Sequence, residues 1–134
     1  MIDIDAMVTA LNAYVSVKDK LISTLATFTY PVMLQGSIAK DEAYPSSFFT
    51  FWNNNTEDLN HYENLPIAYE WDFDVNFYSN DPDLVETVLI SAKTALQGAG
   101  FIIDGKGHDL PTDVITHTGR GMTVKYREES EEIT

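Results

Sequence analysis

The sequence predicts an α+β domain: a mainly antiparallel sheet of about five strands, with two helices packed on one of its faces. The clearest observation is the run from Tyr69 to Tyr78. Tyr69, Trp71, Phe73, Val75 and Phe77 alternate with Glu70, Asp72, Asp74 and Asn76. That period of two is a strand with one buried and one wet face. A second observation follows at once. Ser79-Asn80-Asp81-Pro82 supplies a capping side chain and then proline at a first helical position. A third is the order of patterns along the chain, helix, three strands, helix, two strands, in which strands do not alternate regularly with helices as in a parallel sheet.

At the N-terminus, Ile4, Met7, Val8, Leu11, Tyr14, Val15, Leu21, Ile22 and Leu25 recur at helical spacing over residues 3–25. Asp3 and Asp5 lie near the end that favours negative charge, and Lys18 and Lys20 further along. Lys18 interrupts the apolar stripe, which places a bend or break near 16–19. Residues 31–35 form a short strand ended by Gly36, and 36–45 is polar and turn-rich. Phe48, Phe49, Phe51 and Trp52 make 47–52 a strand apolar on both faces. A polar loop over 53–66 is predicted next, long enough to be mobile or used for contacts. Both polar segments are expected to be cut by protease in the free protein.

The second helix covers 82–97, with Leu84, Val85, Val88, Leu89, Ala92, Ala95 and Leu96 on its core side. Asp83 and Glu86 occupy its first turn, and Gly98 and Gly100 stop it. Residues 101–103 read as a brief strand and 104–109 as a loop. A last strand covers 114–127, with Gly119 and Gly121 marking a bulge or bend. The domain boundary therefore falls at 127, and 128–134 is an acidic C-terminal tail predicted to be disordered.

Composition narrows the function classes. The chain has 134 residues, enough for one domain, and is 44% apolar, too much for a disordered chain. Its net charge is −13, from 21 acidic against 8 basic residues. That field disfavours nucleic-acid backbones and anionic membranes as direct partners, though DNA can pass nearby without binding. There is no cysteine, so disulfides and thiolate metal sites are excluded. No apolar run approaches the roughly 20 residues of a membrane span, and the acidic N-terminus does not look like a signal peptide. A soluble protein made inside the cell is the expectation.

Little in the chain suggests catalysis. Glu70, Asp72 and Asp74 carry oxygen ligands suited to a hard cation. Side chains two apart on a strand project in parallel, however, so a solvated or lumen-facing strip is the better reading. His61, His108 and His117 show no metal-binding spacing, although His108-Asp109 with His117 could hold a metal between loop and strand. Asp104-Gly105-Lys106 is better explained as turn chemistry than as a nuclease set. Gly119-Arg120-Gly121 is too short to cradle a phosphate. No catalytic, cofactor-binding or metal residue is assigned. Phe48, Phe49, Phe51 and Trp52 remain as candidate interface aromatics, against the simpler reading of a fully buried central strand.

Several of these features recur together elsewhere. They are the N-terminal helix, the strand around Phe48–Trp52, the Tyr69–Tyr78 strand, the Asp81-Pro82 helix start, the helix ending in Gly98-Ala99-Gly100-Phe101, and the closing Ile115–Val124 segment with its glycines. Over nearly the whole chain this pattern resembles the tail terminator, or tail completion, proteins of long-tailed bacteriophages. The resemblance implies a structural virion assembly protein with no catalytic residues and no cofactor. Such proteins form hexameric rings that cap the growing tail tube, stop its polymerisation and offer a head–tail joining surface. The implied partners are further copies of the chain, the tail-tube protein and the head connector or stopper protein. DNA would pass through without specific binding, no membrane is involved, and the place is the neck or tail of a virion assembled in the host cytoplasm. Glu70, Asp72 and Asp74 are then candidates for the lumen. Another phage neck, connector or minor tail protein is the nearest alternative. A small metal-dependent enzyme using the acidic strand is the distant one.

Overall fold

The computed structural model describes residues 16–35, 43–62, 65–112 and 114–129. The predicted helix before Ser16, residues 36–42 of the turn-rich segment and the tail beyond Glu129 lie outside the described residues.

The elements are α1 (Val17–Ala26), β1 (Val32–Leu34), β2 (Ser47–Tyr62), β3 (Leu65–Ser79), α2 (Pro82–Gly98), β4 (His108–Leu110) and β5 (Thr118–Glu129). The sheet runs in the order β1-β2-β3-β5-β4. Every neighbouring pair is antiparallel except β1 with β2, which is parallel. Both helices pack on one face, so the α+β class and the mainly antiparallel five-stranded sheet both hold, the parallel β1–β2 pair making the sheet mixed.

Local chemistry sets the helix ends. Ser16 caps α1, its hydroxyl accepting from the Asp19 N–H at 3.1 Å. This is the place where Lys18 breaks the longer apolar stripe. Asp81 caps α2 in the same way at 3.0 Å, with Pro82 in the first turn. Beyond α2, Gly100 takes a positive φ of 100° and the Phe101 N–H reaches back to the Leu96 carbonyl. That turn sends Phe101 into the core.

Register fixes which side chains meet. Phe49 lies opposite Phe77, Phe51 opposite Val75, and Phe73 and Val75 opposite Val124 and Met122. Residues directly opposite share a face. This set is buried under Leu21 and Leu25 of α1 and Val88, Leu89 and Leu96 of α2. The Phe49 and Phe77 rings lie 4.8 Å apart, and Tyr30 meets Phe77 edge-on at 5.2 Å.

Four expectations need correction. The predicted polar loop over 53–66 is strand over 53–62 and 65–66, so β2 and β3 pair as a long antiparallel hairpin. The predicted 104–109 loop ends in a short strand, β4, and β5 continues through Glu129, two residues past the boundary read from the sequence. Gly119 and Gly121 make no bulge, because β5 stays in continuous register with β3. They admit neighbouring side chains: a Cβ at Gly119 would lie 2.5 Å from the Tyr78 ring, and one at Gly121 would lie 2.2 Å from Asn76 Oδ1. Among the described residues, the one register shift is in β2, between Asn53 and Asn55.

Candidate functional site

The face of the sheet opposite the helices is built row by row from the three central strands. Phe48, Tyr78 and Gly119 make one row; Thr50, Asn76 and Gly121 the next. Then come Trp52, Asp74 and Thr123, followed by Asn55, Asp72 and Lys125, and finally Glu57, Glu70 and Arg127. The face therefore changes from aromatic at one end to charged at the other.

The aromatic end is covered by the chain itself. Tyr44 stacks on Phe48 with ring centres 5.8 Å apart, and Phe48 stacks on Tyr78 at 5.3 Å. The His117 ring stands against Tyr44, and its Nε2 lies 2.8 Å from the Pro45 carbonyl. His117 thus ties the stretch before β2 to the stretch before β5. Thr112 holds the second stretch, donating its hydroxyl to the Val114 and His117 carbonyls. A cavity of about 260 Å³ remains between Leu34, Tyr44, Thr50 and Val114. One row further, Asn76 donates to the Thr50 hydroxyl at 3.3 Å, and both side chains are buried.

The charged end is open. Glu70, Asp72 and Asp74 share this face, as the alternation predicts. They do not stand alone. Lys125 Nζ lies 3.8 Å from Glu70, and Arg127 sits opposite Glu70 on β5. Asn54 donates weakly to Asp72 at 3.5 Å. The acidic strip runs between a basic strip on β5 and the polar residues of β2. Sequence reading missed this, because placing Lys125 beside the carboxylates needs the β3–β5 register.

The four candidate aromatics separate. Phe49 and Phe51 are in the core under the helices, and Phe48 is buried beneath Tyr44 and His117. Only Trp52, 48% exposed, presents its ring to the outside. It stands in the row of Asp74, where the apolar end gives way to the charged end.

The histidines and turn residues do other work. His108 is exposed on β4. Among the described residues, no three His, Asp or Glu side chains converge in a way that could hold a metal ion. Arg120 holds the loop before β4. It donates to the Lys106 and Gly107 carbonyls and pairs with Asp109 at 2.8 Å. Lys93 donates to the Gly105 carbonyl, so the Asp104-Gly105-Lys106 turn is pinned to α2. Among the described residues, no helix is long and apolar enough to cross a membrane.

Comparison with protein-family models gives no match, and neither does comparison with curated proteins.

Proposed function

We propose that the chain is a structural subunit of a tailed-phage virion, forming a ring that ends tail-tube polymerisation and presents the head–tail joining surface. The observation that carries this reading is the one-sided sheet. Helices cover one face, while the charged half of the other, with Trp52 at its margin, is covered by no described residue. A closed ring joins one patch to a different patch on the next copy, and such a surface is suited to that use. In this reading the chain is not an enzyme and takes no cofactor. Its partners are its own copies, the tail tube and the head connector.

The acidic strip of Glu70, Asp72 and Asp74 faces the lumen in this proposal. Like charge keeps a DNA backbone from adhering during transit. Lys125 and Arg127 temper that field without cancelling it, since Glu57 adds a fourth carboxylate to the face.

Subunits of charge −13 repel one another, and salt screens that repulsion beyond about 8–10 Å. Light scattering after size exclusion, across protein concentration and at two salt levels, is expected to show a hexamer favoured by salt. A monomer under every condition, still monomeric after purified tail tubes are added, would sink the proposal.

A further inference from the structure

We propose that the outer edge of β2 from Asn53 to Glu57 is a docking edge for an extended segment of a partner protein bearing lysine or arginine. The evidence begins with backbone pairing. β1 pairs with β2 only over Phe49, Thr50 and Phe51. The Phe49 N–H donates to the Pro31 carbonyl, and the Phe51 carbonyl accepts from the Gln35 N–H. No described residue pairs with this edge beyond that point. Two-residue alternation turns the N–H and C=O of Asn53 to the same edge. Past the bulge between Asn53 and Asn55, those of Thr56 face it. A row of unpaired donors and acceptors is a template for another strand.

A second observation falls at the same place. Asn53 Oδ1 is buried and accepts no hydrogen bond, while its amide nitrogen donates to Thr56 at 3.1 Å. Buried acceptors are rarely left without a donor. That side chain lies on the helix side, opposite Phe73, and marks the place where pairing with β1 has ended.

Charge selects the occupant. An incoming strand on this edge meets Trp52 and Glu57 first, with Asp74 and Asp72 one strand further in. Lys125 and Arg127 lie on β5, on the far side of β3. A second copy arriving by the same edge would bring carboxylates toward carboxylates. A strand with cationic side chains meets Glu57 and the two aspartates, and lays one cation on the exposed indole of Trp52. The bulge and the acidic side chains also guard the edge against its own kind, as exposed edges commonly are guarded.

The test does not depend on ring formation and uses the full chain at concentrations where light scattering gives a monomer. With Trp71→Phe as background, Trp52 emission reports titration with three short capped peptides. One alternates threonine with lysine, one proline with lysine, and one threonine with glutamate. The threonine–lysine peptide is expected to bind about tenfold more tightly than the proline–lysine peptide of equal charge, because only the first can pair as a strand. It should also slow amide exchange at Asn53 and Thr56. Thr56→Pro should reduce its binding to the level of the proline–lysine peptide, and Trp52→Ala, titrated by calorimetry because it lacks the reporter ring, should weaken it roughly threefold to tenfold. Should Thr56→Pro not fold, Glu57→Lys on an exposed side chain carries the test, favouring the glutamate peptide instead. Equal binding of the two lysine peptides, or equal binding of the glutamate peptide, overturns the proposal. So does self-association of the parent chain that Thr56→Pro abolishes, which would assign the edge to a second copy.

Discussion

The two faces of β3 are made by alternate residues of one strand, yet they are built differently. On the helix side, Phe73, Val75 and Phe77 are fully buried and touch one continuous core. On the other side, Asp72 and Asp74 stay partly exposed, Asn76 is buried by a hydrogen bond, and Tyr78 sits in an aromatic stack. Helices cover the first face from Phe73 to Phe77. Among the described residues, the second is covered only where Tyr44 and His117 reach it. Folding therefore demands one face outright, and the other is left graded, from packed to free.

The largest effect should come from testing that division with aromatics on opposite faces. Phe77→Ala removes a ring packed on Phe49 and Tyr30 and is expected to destabilise by about 3–5 kcal/mol. Trp52→Ala, on the open face, should change stability by no more than about 0.5 kcal/mol. Urea denaturation of the two variants checks this. Equal losses would mean that Trp52 is bound into the fold.

Gly121→Ala tests how core-like the packed end of the open face is. The new Cβ would meet Asn76 Oδ1 at 2.2 Å, and Asn76 could move only by loosening its bond to Thr50. A loss of roughly 1–3 kcal/mol is expected, read from the same denaturation. The double variant Gly121→Ala, Asn76→Ala should recover part of it. No recovery would place the strain in the backbone.

His117→Ala cuts the tie to Pro45 while leaving the sheet register alone. It removes the ring's hydrogen bonds to the Pro45 carbonyl and the exposed Thr116 hydroxyl and its contacts with Tyr44 and Phe48, so about 1 kcal/mol is expected. Amide exchange should rise across 43–46 and 114–117 and stay unchanged at Phe77. A uniform rise would show instead that the tie supports the whole domain.

Sequence reading found what local chemistry decides. The second helix is predicted at 82–97 and observed as Pro82–Gly98, because a cap, a proline and an apolar stripe all act within a few residues. β3 is legible because one face of it is buried. The stretch 53–66 lacks an apolar alternation and so predicts a loop. The backbone of β3 holds 53–62 as strand, which its own composition does not reveal. Gly119 and Gly121 were legible as special positions, but their reason, the side chains of Tyr78 and Asn76, lies on another strand. The acidic strip was legible as residues and not as an electrostatic surface, since its basic neighbours are about 50 positions away and joined to it only by register.

The smallest predicted effect concerns that neighbourhood. Lys125 and Glu70 lie 3.8 Å apart, and both side chains are more than a third exposed. Water screens such a pair, and ordering two long side chains offsets much of the remaining attraction. Lys125→Ala should therefore cost no more than about 0.5 kcal/mol, and less in high salt. The backbone of Lys125 is bonded to Ile102 in both directions, so the strand itself should not loosen. A larger loss that persists in salt would mean that the carboxylates repel one another strongly enough to need the base. The open face would then be held together by charge pairing, and its exposure would be a condition of the fold instead of a surface left over from it.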